Sequence, residues 1–282
     1  MTHSLNSLEL VEKLEAEIIL KVRQLKSEGV DIHLAAIVVG EDDHFVELKQ
    51  RRGRPLGIET SIYRLPASSL PEDVISVIGF LNVDQAVHGI LVQLPLPKSF
   101  TTEQTDQIIN AIAPAKDVDG LSAGRDKQPA KSLSDLVRAT HLRHRFLPTT
   151  AWAMLSLADH NQIDLHNAVI VGNGRLVGQA LHQLLEQLKI KHQVVDLNTP
   201  DLATIIAQAD VILAGTDTDK PIFNRTTVKK DAQIIAAGQE IDHLDLENWA
   251  TSLTPTKGGV GPLTITHLFN QTVIAASTAH GR

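Results

Sequence analysis

The stretch Ala168-Val169-Ile170-Val171-Gly172-Asn173-Gly174-Arg175-Leu176-Val177-Gly178 decides the fold. An apolar run rich in β-branched residues, ended by glycine, suits a strand buried on both faces. The glycines then fall as G-x-G-x-x-x-G, and a helical pattern follows. In a strand–turn–helix unit, Gly172 permits the tight turn, Gly174 lets a pyrophosphate approach the backbone, and Gly178 lets the helix pack closely. The helix N-terminus offers free N–H groups and the positive end of its dipole to phosphate oxygens. Asn173, Arg175 and Val177 belong to the same turn. Gly215 and Gly238 close two later apolar runs and are counted with them as candidate cofactor contacts. A purely structural βαβ turn satisfies the same pattern. The next strand, read over Gln193–Asp196, ends in a carboxylate about 20 residues beyond the glycines, where such a group accepts from the ribose 2′-hydroxyl of NAD and repels the 2′-phosphate of NADP. Read alone, Asp196 is equally a surface aspartate.

Working outward, strands and helices alternate in both directions. On the N-terminal side the spacing predicts a helix from Leu5 to Ser27, a strand over His33–Gly40, a helix over about 43–56, a strand over Glu59–Arg64, a helix over Leu70–Leu81, a strand over Gly89–Gln93 and a helix near Thr102–Ile112. On the C-terminal side it predicts a helix over about 150–159, a strand over Asn167–Val171, a helix from Arg175, a helix over about 200–207, strands at Val211–Ala214 and Gln233–Ala236, and a closing helix over 262–278. Residues 115–150 are polar and mixed and read as irregular. The expected class is α/β: an N-terminal parallel-sheet domain over residues 1–145 and a Rossmann-type domain over 146–262.

Composition narrows the function. The chain has 282 residues with 43% hydrophobic and 21% charged, enough for two ordinary globular domains. Its formal charge of −7 and aromatic content of 3% oppose a nucleic-acid surface built on counterion release or base stacking. There is no Cys, so thiolate nucleophiles, iron–sulfur clusters and Cys-based zinc sites are out. No apolar run is long enough to span a membrane, and no secretory pattern opens the chain, so a cytoplasmic enzyme is expected. The 13 His residues form no HxxxH or HExxH pattern; scattered surface histidines are expected, and no metal site.

Four further segments carry candidate chemistry. Lys49 lies one helical turn after Phe45 and opens the basic run Lys49-Gln50-Arg51-Arg52-Gly53-Arg54. On composition this is a solvated helix face, yet a desolvated Lys can serve in proton transfer. Gly89–Pro97, GILVQLPLP, places Gln93 at the carboxyl end of a parallel strand, where such sheets bind ligands. In Lys116-Asp117-Val118-Asp119-Gly120 the carboxylates are two apart, so one need face a site. Thr254–Pro262, TPTKGGVGP, is a glycine-rich loop able to bring its backbone against a ligand.

Together GILVQLPLP, KDVDG and TPTKGGVGPLT, in this order, resemble the methylenetetrahydrofolate dehydrogenase/methenyltetrahydrofolate cyclohydrolase family (FolD type), over nearly the whole chain. The resemblance implies oxidation of 5,10-methylenetetrahydrofolate with NADP or NAD, then hydrolysis of the 5,10-methenyl product to 10-formyltetrahydrofolate. It implies tetrahydrofolate derivatives as partners, a homodimer, a cleft between the two domains, and a last helix (263–282) returning to the first domain. By resemblance Lys49 moves the proton, Gln93 supports it, and Asp119 holds the pterin. Phe45, Gly258, Gly259 and Pro262 line the substrate.

The sequence departs from the family pattern. Phe45 stands where the family has Tyr, and the preceding loop, GEDDH, is shorter. Gly174 stands for the usual Ser, Asn173 for a common basic residue, and Lys257 for the second Pro of TPVPGG. Thr149-Thr150-Ala151-Trp152 replaces Thr-Pro-x-Gly, Ala180 replaces Pro, and Ile234-Ile235-Ala236-Ala237-Gly238 replaces Val-Ile-Asp-Val-Gly. Asp196 without basic partners favours NAD. The departures also admit a weakened paralogue that binds folate or nucleotide as a regulatory module.

Overall fold

The computed structural model describes residues 1–41, 45–123, 128–142, 145–216, 218 and 220–281. The elements in chain order are β1 (His3–Ser4), α1 (Leu8–Ser27), β2 (His33–Val39), α2 (Phe45–Leu56), β3 (Glu59–Leu65), α3 (Pro71–Val83), β4 (Gly89–Val92), α4 (Thr102–Asn110) and α5 (Leu133–Leu142). There follow α6 (Thr149–His160), β5 (Ala168–Val171), α7 (Gly178–Gln187), β6 (His192–Val195), α8 (Leu202–Gln208), β7 (Val211–Ala214), β8 (Gln233–Ala236), α9 (His243–Leu246), β9 (Ser252–Leu253) and α10 (Val260–Ala279). The predicted α/β class is the observed one, with two parallel sheets in two compact units.

One unit comprises Glu12–Asp126, Ala139–Leu147 and Ile265–Arg282. Its sheet has the order β3-β2-β4, all parallel. The run Leu34–Val39 is apolar throughout because both faces are covered. Leu34, Ala36 and Val38 join Ile18 and Val22 of α1, Val46 and Leu56 of α2, and Leu268, Phe269 and Val273 of α10. Ala35, Ile37 and Val39 join Val74 and Ile78 of α3 and Ile108 and Ile109 of α4. The strand's period of two thus divides one run between two cores. α10 is pinned by Gln271, whose Nε2 donates to the carbonyls of Val118 and Leu147 while its Oε1 accepts the Leu147 amide.

The other unit comprises Met1–Val11, Lys127–Arg138 and Pro148–Thr264. Its six parallel strands run β1-β9-β8-β7-β5-β6. The order reverses between β5 and β7, since β6 lies on one side of β5 and β7 on the other. Ligands of such sheets bind beyond the carboxyl ends of the strands at that reversal.

Several local readings are corrected. Leu5 is not helical: its amide donates to the Leu253 carbonyl at 2.8 Å, extending β1, and α1 starts at Leu8, whose amide is taken by Asn6 Oδ1. α7 starts at Gly178, not Arg175, because Val177 has non-helical φ/ψ of −125° and −67°. Part of the irregular stretch is α5, started by the Ser132 hydroxyl accepting the Asp135 amide. The histidines are not all at the surface: His88 and His267 are buried. Burial lowers the pKa of His267 to about 3 and that of His88 to about 4, holding both neutral. Asp42, Asp43 and His44 of the short GEDDH loop lie outside the described residues.

Candidate active site

In the three-stranded unit the chemistry gathers at the carboxyl end of the sheet. β2 is central, with β3 on one side and β4 on the other, so the crossover reverses there too. Gln93 follows β4, and its amide donates to the Ile37 carbonyl at 2.8 Å. Its Nε2 donates to the Leu94 carbonyl at 2.8 Å, which leaves Oε1 to accept from Lys49 Nζ, also at 2.8 Å. The carbonyl partner is an acceptor only, so the amide orientation follows from the network. Lys49 is half-buried on α2, and the helix after the central strand carries it to the strand end. Lys49 and Gln93, the pair named by resemblance, are thus hydrogen-bonded to each other. Phe45, one turn earlier, is 56% exposed.

The KDVDG segment divides its charges. Asp117 is buried, with Oδ2 accepting the Ser122 amide at 2.8 Å, so this carboxylate shapes the loop. Lys116 Nζ donates to the Leu81 and Asp84 carbonyls at 2.9 and 2.6 Å, and burial lowers its pKa despite the opposing field of Asp84. Gly120 has φ of +65°, and a Cβ there would lie 2.4 Å from the Leu147 carbonyl carbon. Asp119 is half-buried.

In the six-stranded unit the glycine turn sits at the sheet's reversal. Gly172 has φ of +104°, and a Cβ on it would lie 2.4 Å from the Gly215 carbonyl oxygen. A Cβ on Gly178 would lie 1.8 Å from the Gly172 carbonyl oxygen, and one on Gly215 would lie 2.3 Å from Val177 Cγ1. Gly172 and Gly178 thus pack backbone on backbone, and Gly215 packs against the Val177 side chain. Gly174 is different: nothing lies within 4 Å of its Cβ position, and it is exposed beside Asn173. α7 has no side-chain cap, and in its first turn the Gln179 amide donates to the Gly174 carbonyl at 3.0 Å. Arg175 is half-buried in the turn, and desolvation lowers its pKa from the usual guanidinium value. A backbone cradle with an open face and an uncapped helix suits a dinucleotide pyrophosphate.

Asp196 caps its own turn. Its Oδ1 accepts the Asn198 amide at 2.8 Å and the Thr199 hydroxyl at 3.3 Å. Its Oδ2 has no hydrogen bond among the described residues. Gly258 has φ of +82°, and its carbonyl accepts the Ser7 amide and hydroxyl at 2.7 and 2.9 Å. A Cβ on Gly259 would meet the Pro255 carbonyl at 2.8 Å. Pro262 lies in the first turn of α10 and is half-buried.

Sequence reasoning missed two groups. Glu240 is fully buried: Oε1 accepts the amide and hydroxyl of Thr216, and Oε2 accepts the Gly238 amide at 2.9 Å. It ties together the loops after β7 and β8, and nothing local in the sequence marks it. The expectation of scattered histidines is also corrected. His182, Glu186 and His192 bring one ligand atom each within 4.8 Å of one another. Their donors come from a helix and the following strand, which no single-helix motif describes.

A switch-point glycine turn with an uncapped helix, in one chain with a Lys–Gln pair at the end of a second parallel sheet, defines a dinucleotide-dependent enzyme of the two-domain α/β dehydrogenase class. The comparisons are specific. Residues 5–119 match the model of the tetrahydrofolate dehydrogenase/cyclohydrolase catalytic domain, and residues 148–280 match that of the same family's NAD(P)-binding domain. The bifunctional protein FolD of Lactobacillus delbrueckii subsp. bulgaricus is 33% identical, covering 97% of this chain and 95% of that one. The structure of the bifunctional FolD methylenetetrahydrofolate dehydrogenase/cyclohydrolase from Campylobacter jejuni superposes with a TM-score of 0.84 at 29% identity, covering 99% of each chain. The Trypanosoma brucei methylenetetrahydrofolate dehydrogenase-cyclohydrolase, solved with NADP and an inhibitor, shares the fold with a TM-score of 0.83 at 22% identity, covering 100% of this chain and 99% of that one. The chain belongs to the tetrahydrofolate dehydrogenase/cyclohydrolase family. No helix among the described residues is long and apolar enough to cross a membrane.

Proposed function

We propose that this chain oxidises 5,10-methylenetetrahydrofolate to the 5,10-methenyl compound and hydrolyses that to 10-formyltetrahydrofolate. The observation that carries this is Lys49 Nζ held 2.8 Å from Gln93 Oε1 at the end of a parallel sheet. Gln93 fixes one N–H of Lys49 and so sets the direction of the rest of the amine. In the hydrolytic step water adds to the electrophilic methenyl carbon and Lys49 accepts its proton. As the adduct breaks its bond to N5, its hydroxyl loses a proton to become the formyl carbonyl on N10 and N5 takes up a proton, so the one proton released overall is that accepted by Lys49. Asp119 is assigned to the pterin by resemblance. Gly258, Gly259 and Pro262 are assigned to the substrate lining, by resemblance. A nicotinamide, when bound, supplies the acceptor for the hydride lost from the methylene carbon. Gly172, Asn173, Gly174, Arg175, Val177 and Gly178 would hold its pyrophosphate, with Gly215 and Gly238 at the neighbouring strand ends. A homodimer in the cytoplasm completes the proposal, supported by the family resemblance. The test is a spectrophotometric assay of the purified chain with methylenetetrahydrofolate and each nicotinamide cofactor; no reduced cofactor from a folded preparation would refute it.

Within this proposal NAD is the preferred cofactor, because the open Oδ2 of Asp196 accepts a ribose hydroxyl and repels a 2′-phosphate. Side-by-side assays should give a kcat/KM for NAD at least about tenfold above that for NADP, and Asp196→Ala should erase the difference, as expected for a hydrogen bond to a charged group worth roughly 1.5–3 kcal/mol. Equal use of both by the unaltered chain would reject this role. For Phe45, restoring a hydroxyl in Phe45→Tyr should raise cyclohydrolase kcat by up to about tenfold, the value of one hydrogen bond of roughly 0.5–1.5 kcal/mol. An unchanged rate would mean that the hydroxyl is not the missing part.

A further inference from the structure

We propose that His182, Glu186 and His192 form a binding site for a divalent late first-row metal of the zinc type, at the edge of the six-stranded sheet. His182 and Glu186 stand four residues apart on α7, so their side chains rise from one face a turn apart. The chain then turns through Lys189, at φ of 56°, and the Ile190 amide donates back to the Leu185 carbonyl. This returns His192, the first residue of the edge strand β6, to the last turn of the same helix. The three ligand atoms lie within 4.8 Å of one another, with His182 and Glu186 exposed and His192 half-buried.

The histidines are prepared for a metal in a way that chance surface neighbours are not. His192 Nδ1 lies 2.8 Å from the Ile190 carbonyl oxygen. A carbonyl only accepts, so Nδ1 carries the proton and Nε2 the lone pair. Metal-binding histidines are oriented by such a bond from their other nitrogen to a backbone carbonyl. The lone pair of His192 Nε2 faces His182 Nδ1 at 2.8 Å, so in the metal-free state His182 donates to it. On metal binding His182 moves that proton to its Nε2 and coordinates through Nδ1, with no net change of protonation. Nitrogens bound tetrahedrally to zinc sit about 3.4 Å apart, given Zn–N bonds of about 2.0–2.1 Å. The two rings need to separate by roughly half an ångström, within reach of small χ rotations. Glu186 supplies the anionic third ligand, and water fills the open position. Two imidazoles and a carboxylate select zinc, nickel or copper over magnesium or calcium, which want all-oxygen shells. The metal would fasten α7 to β6, the elements whose other ends carry the glycine turn and Asp196. It is a structural clamp and touches no reacting atom.

The test uses the full chain without a polyhistidine tag, stripped of metal. Cobalt(II) should bind one per chain with visible d–d absorption, zinc(II) should bind one per chain by calorimetry and raise Tm, and magnesium should do neither. His192→Ala and Glu186→Gln should each weaken zinc(II) binding at least about tenfold and remove the Tm rise. Glu186→Gln keeps the shape of an exposed side chain, so it remains informative if His192→Ala folds poorly. The absence of Cys removes thiolates as competing ligands. The proposal is overturned if zinc(II) shows no saturable binding, or if binding is as tight in both variants, which would place it on other histidines.

Discussion

Lys49→Ala is expected to lower cyclohydrolase kcat by about 10²–10⁴-fold, the usual value of a positioned proton-transfer group. The side chain is half-buried and its Nζ is held by Gln93 Oε1 at 2.8 Å, so it is fixed in place and not swept through solvent. Truncation removes the proton acceptor and strips Gln93 of a partner. The second effect is structural and small, about 1 kcal/mol, because Gln93 keeps its bond to the Leu94 carbonyl and remains half-buried. Activity should therefore collapse while circular dichroism stays native and Tm moves by a few degrees at most. Lys49→Arg should not rescue, since a guanidinium keeps its proton and its planar fork does not reproduce one N–H directed at Gln93. Gln93→Ala should retain part of the rate, because it disturbs direction and not the proton acceptor itself. The readout is disappearance of methenyltetrahydrofolate absorbance under matched buffer conditions. If Lys49→Ala keeps more than about a tenth of the rate, the proton goes elsewhere and the assignment fails.

What was legible in the sequence depended on distance along the chain. The run Leu34–Val39 announced a strand buried on both faces, and its alternate residues indeed fill two cores. The glycine turn was legible because each glycine answers a local demand: a positive φ at Gly172, a backbone contact at Gly178. Lys49 and Gln93 came together through their family resemblance; composition alone made Lys49 part of a solvated basic face. Glu240 was hidden, since its partners Thr216 and Gly238 belong to different loops that only the sheet order brings together. The two-residue strands β1 and β9 were hidden for the same reason, pairing the chain's start with Ser252 and Leu253. Patterns of three or four residues show in one dimension; bonds between distant loops do not.

Gly178→Ala should cost both stability and cofactor binding, whereas Gly174→Ala should cost binding alone. A Cβ on Gly178 would fall 1.8 Å from the Gly172 carbonyl oxygen and 2.9 Å from Asn173 Cα. Both obstacles are backbone, so no side chain can swing aside. The start of α7 must move off the glycine turn by more than an ångström, an overpacking cost of about 3 kcal/mol at the upper end of the usual range. For a domain of this size that lowers Tm by roughly 6–12 °C. The same movement carries the first amides of α7 away from where they meet a pyrophosphate, so NAD(P) affinity should fall by at least about a hundredfold. Gly174 has nothing within 4 Å of its Cβ position and no positive φ, so alanine there meets no protein atom. Its Tm should stay within about 1 °C, as for other surface changes. Its affinity for the dinucleotide should nevertheless drop, because the added methyl stands where the phosphates approach the backbone. Scanning calorimetry and cofactor titration by reduced-nicotinamide fluorescence separate the two. A native Tm in Gly178→Ala would contradict the packing, and unchanged affinity in Gly174→Ala would place the pyrophosphate away from this turn.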